Sequence, residues 1–209
     1  MSWKVKKADF VEELARILAK IQALKFGVFT LASGKMSSYY VDLRLIPSYP
    51  LVFKKIVNMY SRMIIEEVEL SNFDIICGVP TSGLVFASAV AISLEKPLIY
   101  TRKEMKPHGT QKTIEGILKS GDRVLLVDDL VTTGTSLLAA KEDIISEGGK
   151  INDSVVLVDR QEGGPENMIK AGIKSHHIAG ITDLVNVLHN NNVISKEEYQ
   201  SVLEQIGVK

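Results

Sequence analysis

Four short apolar runs constrain the fold of this chain most strongly: FDIICG at 73–78, PLIYT at 97–101, RVLLVDD at 123–129 and SVVLVD at 154–159. They alternate with helical patterns at about 84–94, 135–147 and 165–172. A strand without polar alternation has to be covered on both faces, and strands separated by helices run parallel. The pattern therefore predicts an α/β fold with a parallel-sheet core flanked by helices. Ligands of such sheets bind beyond the carboxyl ends of the strands, so the residues that follow each run carry the information about function.

The segments outside this region have a different rhythm. Phe10, Val11, Leu14, Ile17, Leu18, Ile21 and Leu24 recur at helical spacing, with Asp9 and Glu12 placed for a capping box, and predict a first amphipathic helix. FGVFTL and YYVDLR flank the turn-rich SGKMSS, reading as strand, loop and strand, before Pro50 opens a second helix to about Val68. Together these pieces look like a small hood. TDLVNVLHN and SKEEYQSVLEQI read as two short C-terminal helices, the second with Ser195 and Glu198 in capping-box positions. No repeat or long linker divides the 209 residues. We read one domain over 1–209, with a hood mainly at about 1–48, the C-terminal helices as candidates to join it, and a core at about 50–180.

Composition excludes several classes of function. The 25 Lys plus Arg balance 25 Asp plus Glu, which removes the basic surplus expected of a nucleic-acid or membrane-surface binder. The run from Leu84 to Leu94 is interrupted by Ser88 and Ser93 and falls short of the ~18 residues of a membrane span, so a buried helix is expected. The single cysteine, Cys77, cannot form an intramolecular disulfide, and MSWKVKKADF lacks the apolar stretch of a signal peptide. The expected location is cytoplasmic. Cys77 has no accompanying histidine motif and reads as a small buried side chain, while His176, His177 and His189 lack metal-ligand spacing.

The most informative segment is VLLVDDLVTTGTS at 124–136. A buried strand delivers Asp128 and Asp129, then Leu130, Val131 and the loop Thr132-Thr133-Gly134-Thr135-Ser136 at the start of a helix. Backbone N–H groups, hydroxyls and the positive end of a helix dipole suit a phosphate monoester, and Gly134 permits close approach. The carboxylates would repel that phosphate. They need sugar hydroxyls, a metal or developing positive charge on carbon instead. Phosphate at one end with hydroxyls beside it describes a ribose 5-phosphate; the plain alternative is an acidic strand end followed by a helix cap.

This segment resembles the PRPP-binding motif of the type I phosphoribosyltransferases. There the loop holds the 5-phosphate and the paired acids hold the ribose. A second segment, Arg102-Lys103-Glu104-Met105-Lys106-Pro107-His108-Gly109, is similar to the catalytic loop of the orotate phosphoribosyltransferases. The resemblance implies that Arg102, Lys103, Lys106 and His108 are PRPP ligands, that Lys103, Lys106 and His108 act in catalysis with Asp128 and Asp129, and that loop 102–112 reaches the neighbouring site of a homodimer. The stretch 24–42 resembles that family's hood, with Tyr39 and Tyr40 at the orotate. Its Ser33-Gly34-Lys35 is no ATP loop, because Phe29 stands where the first glycine is required and Met36 replaces Ser or Thr.

Arg160, at the end of the run at 154–159, can grip a planar carboxylate in bidentate fashion. By the resemblance it takes the carboxylate of orotate, with Thr132 as a further orotate contact; the alternative is an ion pair with Asp159 or Glu162. Thr81, Ser82 and Gly83 form a candidate pyrophosphate loop at a strand-to-helix turn. The chain departs from the family where Ala32 replaces a frequent Lys and Thr81-Ser82 replaces Tyr-Lys, with Lys35 able to compensate. The implied fold is the type I phosphoribosyltransferase fold. The implied reaction is orotate plus PRPP giving orotidine 5-monophosphate and pyrophosphate, with Mg²⁺ held mainly through PRPP and water and no direct protein ligand assigned. Neither nucleic acid nor membrane is an expected partner. Competing readings are transfer to a purine or uracil, a PRPP-sensing regulator without catalysis, and a PRPP synthetase relative, the last weakened by the absent ATP motif.

Overall fold

The computed structural model describes residues 2–31, 34–102 and 113–207. The chain forms two compact units, one made of residues 1–56 with 179–209 and the other of 57–178.

In the first unit, α1 spans Trp3–Lys20 and buries Leu14, Ala15 and Leu18. It begins earlier than the Asp9 capping box predicts, because Ser2 takes the N-cap position and nothing between Trp3 and Asp9 breaks a helix. Strands β1 (Leu24–Thr30) and β2 (Met36–Val41) pair antiparallel, with a bulge between Phe26 and Phe29. Helices α6 (Ile181–Asn190) and α7 (Lys196–Gln205) complete the unit, α6 packing on α1 and α7 on β2. The capping box expected at α7 is present: Glu198 N donates to Ser195 Oγ at 3.1 Å, and Ser195 N to Glu198 Oε2 at 2.8 Å. At its other end the Gln205 side chain accepts from Ser38 N at 2.7 Å and donates to Ser37 Oγ at 3.0 Å, tying the helix to β2.

The second unit holds a seven-stranded sheet in the order β5-β4-β3-β6-β8-β7, with β9 also on β8. Its strands are β3 (Ile75–Gly78), β4 (Leu98–Thr101), β5 (Ile114–Glu115), β6 (Arg123–Val127), β7 (Leu130–Val131), β8 (Lys150–Asp159) and β9 (Lys174–Gly180). The pairs β3–β4, β3–β6, β6–β8 and β7–β8 are parallel, while β5 returns antiparallel along β4. Ile75, Cys77, Val124, Leu126 and Val156 pack against Leu137, Ala140 and Ile144 of α4 (Thr135–Ser146) and Met168 of α5 (Gly164–Lys170). Residues of opposite parity face the other way: Gly78 lies against Leu84 and Ala87 of α3 (Ser82–Leu94), so closely that a Cβ on it would meet Leu84 Cα at 2.9 Å. Both faces of the sheet are covered, as the continuous apolar runs require.

Helix α2 (Pro50–Met63) widens into a π-type turn at Ile64–Val68. Just beyond it in space, His176 of β9 is 3% exposed and sits between two acids. Its Nδ1 is 2.8 Å from Glu67 Oε2 and its Nε2 is 2.8 Å from Asp153 Oδ1, so the ring joins the turn after α2 to β8. His189 stacks on Tyr199 with ring centroids 4.5 Å apart, joining α6 to α7. Cys77 is fully buried, and that burial pushes its thiol up to about 12, as expected of an inert core residue. No helix among the described residues is long and apolar enough to cross a membrane.

Replacing His176 with Leu leaves two mostly buried carboxylates facing an apolar side chain. Unfolding in urea should show a loss on the order of 3 kcal/mol; a loss below about 1 kcal/mol would show that the two acids do not depend on the ring.

Candidate active site

The strand order reverses between β3 and β6. The chain moves from β3 outward to β4 on one side, and from β6 to β8 on the other. Ligands of open α/β sheets bind in the crevice beyond the strand ends at such a point. Here Gly78 pairs with Val127, which sets the turn after β3 beside Asp128 and Asp129. A pocket of about 180 Å³ opens at this place, lined by Pro80, Ser82, Asp128, Asp129, Leu130, Val131, Thr132, Gly134, Thr135, Ser136 and Leu137.

The acid pair is held by its backbone. Asp128 N donates to Val155 O at 3.1 Å, and Asp129 O accepts from Leu157 N at 3.0 Å. Each carboxylate also accepts from the next residue, Asp128 Oδ1 from Asp129 N and Asp129 Oδ1 from Leu130 N, both at 2.9 Å. Asp128 is 9% and Asp129 7% exposed. Burial first, then the neighbouring charge of Asp129, push the Asp128 carboxyl well above the usual carboxylate range. Gly83 packs against this residue: a Cβ there would meet Asp128 Oδ1 at 2.4 Å and Asp128 Cα at 2.8 Å, so only glycine admits the start of α3 this close.

Beyond the acids, β7 carries the chain into the loop at 132–136. Gly134 adopts φ +82° at the N-cap position of α4, where no side chain caps the helix. The first-turn N–H groups therefore remain open to an anion. Thr133 Oγ1 and Thr135 Oγ1 lie 2.9 Å apart at the rim. Of the expected site residues, the structure thus gathers Ser82, Asp128, Asp129, Leu130, Val131, Thr132, Gly134, Thr135 and Ser136 around one pocket, with Gly83 directly behind. Thr81 and Thr133 are not among the lining residues; Thr81 follows a cis Pro80–Thr81 peptide.

Arg160 and Arg102 are not among the lining residues. Arg160 is 6% exposed at the carboxyl end of β8 and pairs with Glu162 at 2.9 Å, while its N donates to Val131 O at 2.9 Å. Arg102 forms an ion pair with Glu115 of β5, and its N donates to Thr113 O at 2.9 Å. The β4–β5 ladder, which the sequence did not announce, thereby sets Arg102 beside Thr113. Lys103, Lys106 and His108 lie outside the described residues, as does Ala32. Tyr39 and Tyr40 belong to the first unit. Tyr39 is fully buried in β2, and the half-buried Tyr40 packs on Phe29 at 5.7 Å with its hydroxyl accepting from Arg44 at 3.0 Å.

A model of the phosphoribosyl transferase domain matches residues 52–181. The orotate phosphoribosyltransferase of Cenarchaeum symbiosum is 40% identical over 92% of this chain and 96% of its own length. The chain belongs to the orotate phosphoribosyltransferase family. The family member from Saccharolobus solfataricus is 39% identical over 92% of this chain and 95% of its own length. The crystal structure of orotate phosphoribosyltransferase from Aeropyrum pernix covers 87% of this chain and 99% of its own at a TM-score of 0.75 and 34% identity. The UMP synthase of Leishmania donovani matches with a TM-score of 0.83 and 35% identity over 94% of this chain, which spans 42% of that longer protein.

In this member of the family, two supports of the site were not visible in the sequence. Tyr60 of α2 is fully buried, stacks near Phe86 at 5.9 Å and donates its hydroxyl to Asp128 O at 2.7 Å. Burial and the two acids push its phenol well above the ordinary range, keeping the proton that this bond uses. Asn167 of α5 donates to Thr133 O at 3.0 Å. Their partners are far away in sequence, and no local motif marks either one.

The raised Asp128 carboxyl carries a sign for stability. The folded chain binds this proton more tightly than the unfolded chain does, so stability falls as pH rises from the ordinary carboxylate range through the raised one. Asp128→Asn removes that slope. The variant should melt higher than the parent at neutral pH, while turnover drops roughly a hundredfold or more. A variant that melts lower at neutral pH, with the parent's pH slope intact, would contradict the assigned burial cost.

Proposed function

We propose that this chain transfers the 5-phosphoribosyl group from PRPP to N1 of orotate, giving orotidine 5-monophosphate and pyrophosphate in de novo pyrimidine biosynthesis. The observation that carries the reading is the single pocket in which a buried acid pair adjoins an uncapped helix N-terminus. In this reading the loop at 132–136 takes the 5-phosphate through backbone N–H groups and hydroxyls. Asp128 and Asp129 take the ribose hydroxyls. As pyrophosphate leaves the anomeric carbon, positive charge develops on the sugar, and the fixed acid pair stabilises it.

Thr81, Ser82 and Gly83, at the start of α3, serve the pyrophosphate. Arg160 binds the orotate carboxylate, exchanging its partner Glu162 for the ligand, with Thr132 as a further contact to the base. Arg102, Lys103, Lys106 and His108 close over the leaving group from the neighbouring subunit of a homodimer. Water is thereby kept from the sugar, since hydrolysis of PRPP is the competing reaction.

Mg²⁺ fits the donor chemistry of the pocket. Asp128 and Asp129 present hard oxygen ligands, yet no group of three His, Cys, Asp or Glu among the described residues makes a protein cage. The ion would be held mainly through PRPP oxygens and water, beside the two acids. When bound, it supplies neutralisation of charge on the leaving group.

Pyrophosphate release should be measured with PRPP against orotate, uracil, adenine and hypoxanthine, with and without Mg²⁺. Release with orotate alone, abolished by chelation, is expected; turnover of another base with none of orotate would overturn the assignment. For the shared site, Lys103→Ala chains mixed with Asp129→Ala chains should regain part of the activity that each lacks alone. Demonstrated mixed dimers that stay inactive would count against a loop acting in trans.

A further inference from the structure

The phosphate loop has a brace that its own sequence does not contain. Three residues on one face of α5, Gly164, Asn167 and Met168, meet three consecutive loop residues. A Cβ on Gly164 would lie 2.6 Å from Thr132 O and 2.4 Å from Val131 Cγ2, so the backbone of α5 itself rests on Thr132. Asn167 Nδ2 donates to Thr133 O at 3.0 Å. The fully buried Met168 side chain lies beside Gly134, 3.5 Å from where a Cβ would stand.

The middle contact has a consequence for anion binding. A trans peptide is planar, and its C=O and N–H point in opposite directions. A donor that holds Thr133 O on the α5 side therefore directs the N–H of Gly134 to the opposite side of the same plane. Gly134 lines the pocket. Glycine also tolerates both orientations of a neighbouring peptide, so Gly134 alone gives the 133–134 plane no preference. Turned over, the same plane would present a carbonyl oxygen to a phosphate in place of a donor.

We propose that Asn167 is a positioning residue for the phosphate group: by holding Thr133 O it keeps the 133–134 peptide turned so that the loop presents donors to the sugar phosphate. It touches neither substrate nor the reacting atoms. The proposal rests on the reading of 132–136 as the 5-phosphate site, but not on which base accepts the sugar. It separates Asn167 from Arg160, only seven residues earlier on the same connection, whose loss should be felt by the base. An amide suits the task because it donates without charge, whereas Asp in its place would set a carboxylate against a carbonyl oxygen and add negative charge behind a phosphate site.

The test compares the parent with Asn167→Ala, Asn167→Asp and Asn167→Gln. It measures melting temperature, KM for PRPP and for orotate, and binding of ribose 5-phosphate by calorimetry. Loss of one oriented hydrogen bond should raise the PRPP KM and weaken ribose 5-phosphate about tenfold in Asn167→Ala. Asn167→Asp should be worse and Asn167→Gln partly restored. The orotate KM should stay within about twofold of the parent, and melting should change little. Unchanged PRPP KM and ribose 5-phosphate affinity would overturn the proposal, and so would a fall in melting temperature with both values unmoved, which is the signature of a purely structural contact. A parent that binds ribose 5-phosphate but does not use orotate would sink the base assignment while the calorimetric comparison still decides the role of Asn167.

Discussion

Two adjacent carboxylates at the end of an apolar strand repel each other and lose hydration, and the second unit is arranged around keeping them there. The strand that delivers them, β6, lies in the middle of the sheet with β3 and β8 on either side. Their backbone is stitched to β8 through Val155 and Leu157, and to α2 through the Tyr60 hydroxyl. Among the described residues no cation pairs with either acid. In the proposed reaction the positive counterpart of the pair is the charge that develops on the sugar as pyrophosphate leaves. A site that is costly in the resting protein and favourable in the transition state is how fixed electrostatics accelerate a reaction.

The same arrangement separates two opposite preferences by a few residues of chain. Negative charge is concentrated at 128–129, while at 132–136 the helix dipole and uncapped N–H groups favour an anion. A ribose phosphate bridges such a pair without conflict, because its hydroxyl face and its phosphate lie at opposite ends. The zero net charge of the chain is the sum of local fields of this kind, and gives no hint of their separation.

Much of the fold was legible because the apolar runs at β3, β4, β6 and β8 show no alternation, and Pro50, Ser195 and Glu198 mark helix starts by their own chemistry. Strand β9 was not. Its sequence, KSHHIAG, is polar at the start because His176 is buried between Glu67 and Asp153, so a tertiary contact takes the place of hydrophobic patterning. Strands β5 and β7 have two residues each, too short for any periodicity. The start of α1 was misplaced because Asp9 and Glu12 make a plausible cap, whereas Ser2 takes the N-cap position and the helix begins at Trp3. At the site, the acid pair and the loop after it could be read because strand, carboxylates, glycine and hydroxyls are contiguous. Tyr60 and Asn167 could not, since each acts on a backbone carbonyl that any residue would supply.

In the proposed function one pocket holds the sugar and the phosphate of the same substrate, with Asp128 and Asp129 on the sugar and 132–136 on the phosphate. A crystal structure of the chain soaked with PRPP and Mg²⁺ tests it most directly. The 5-phosphate is expected within hydrogen-bonding distance of the N–H groups and hydroxyls of 132–136, and the ribose hydroxyls facing the acid pair directly or through one water. A 5-phosphate bound elsewhere, or a ribose turned away from both acids, would contradict it.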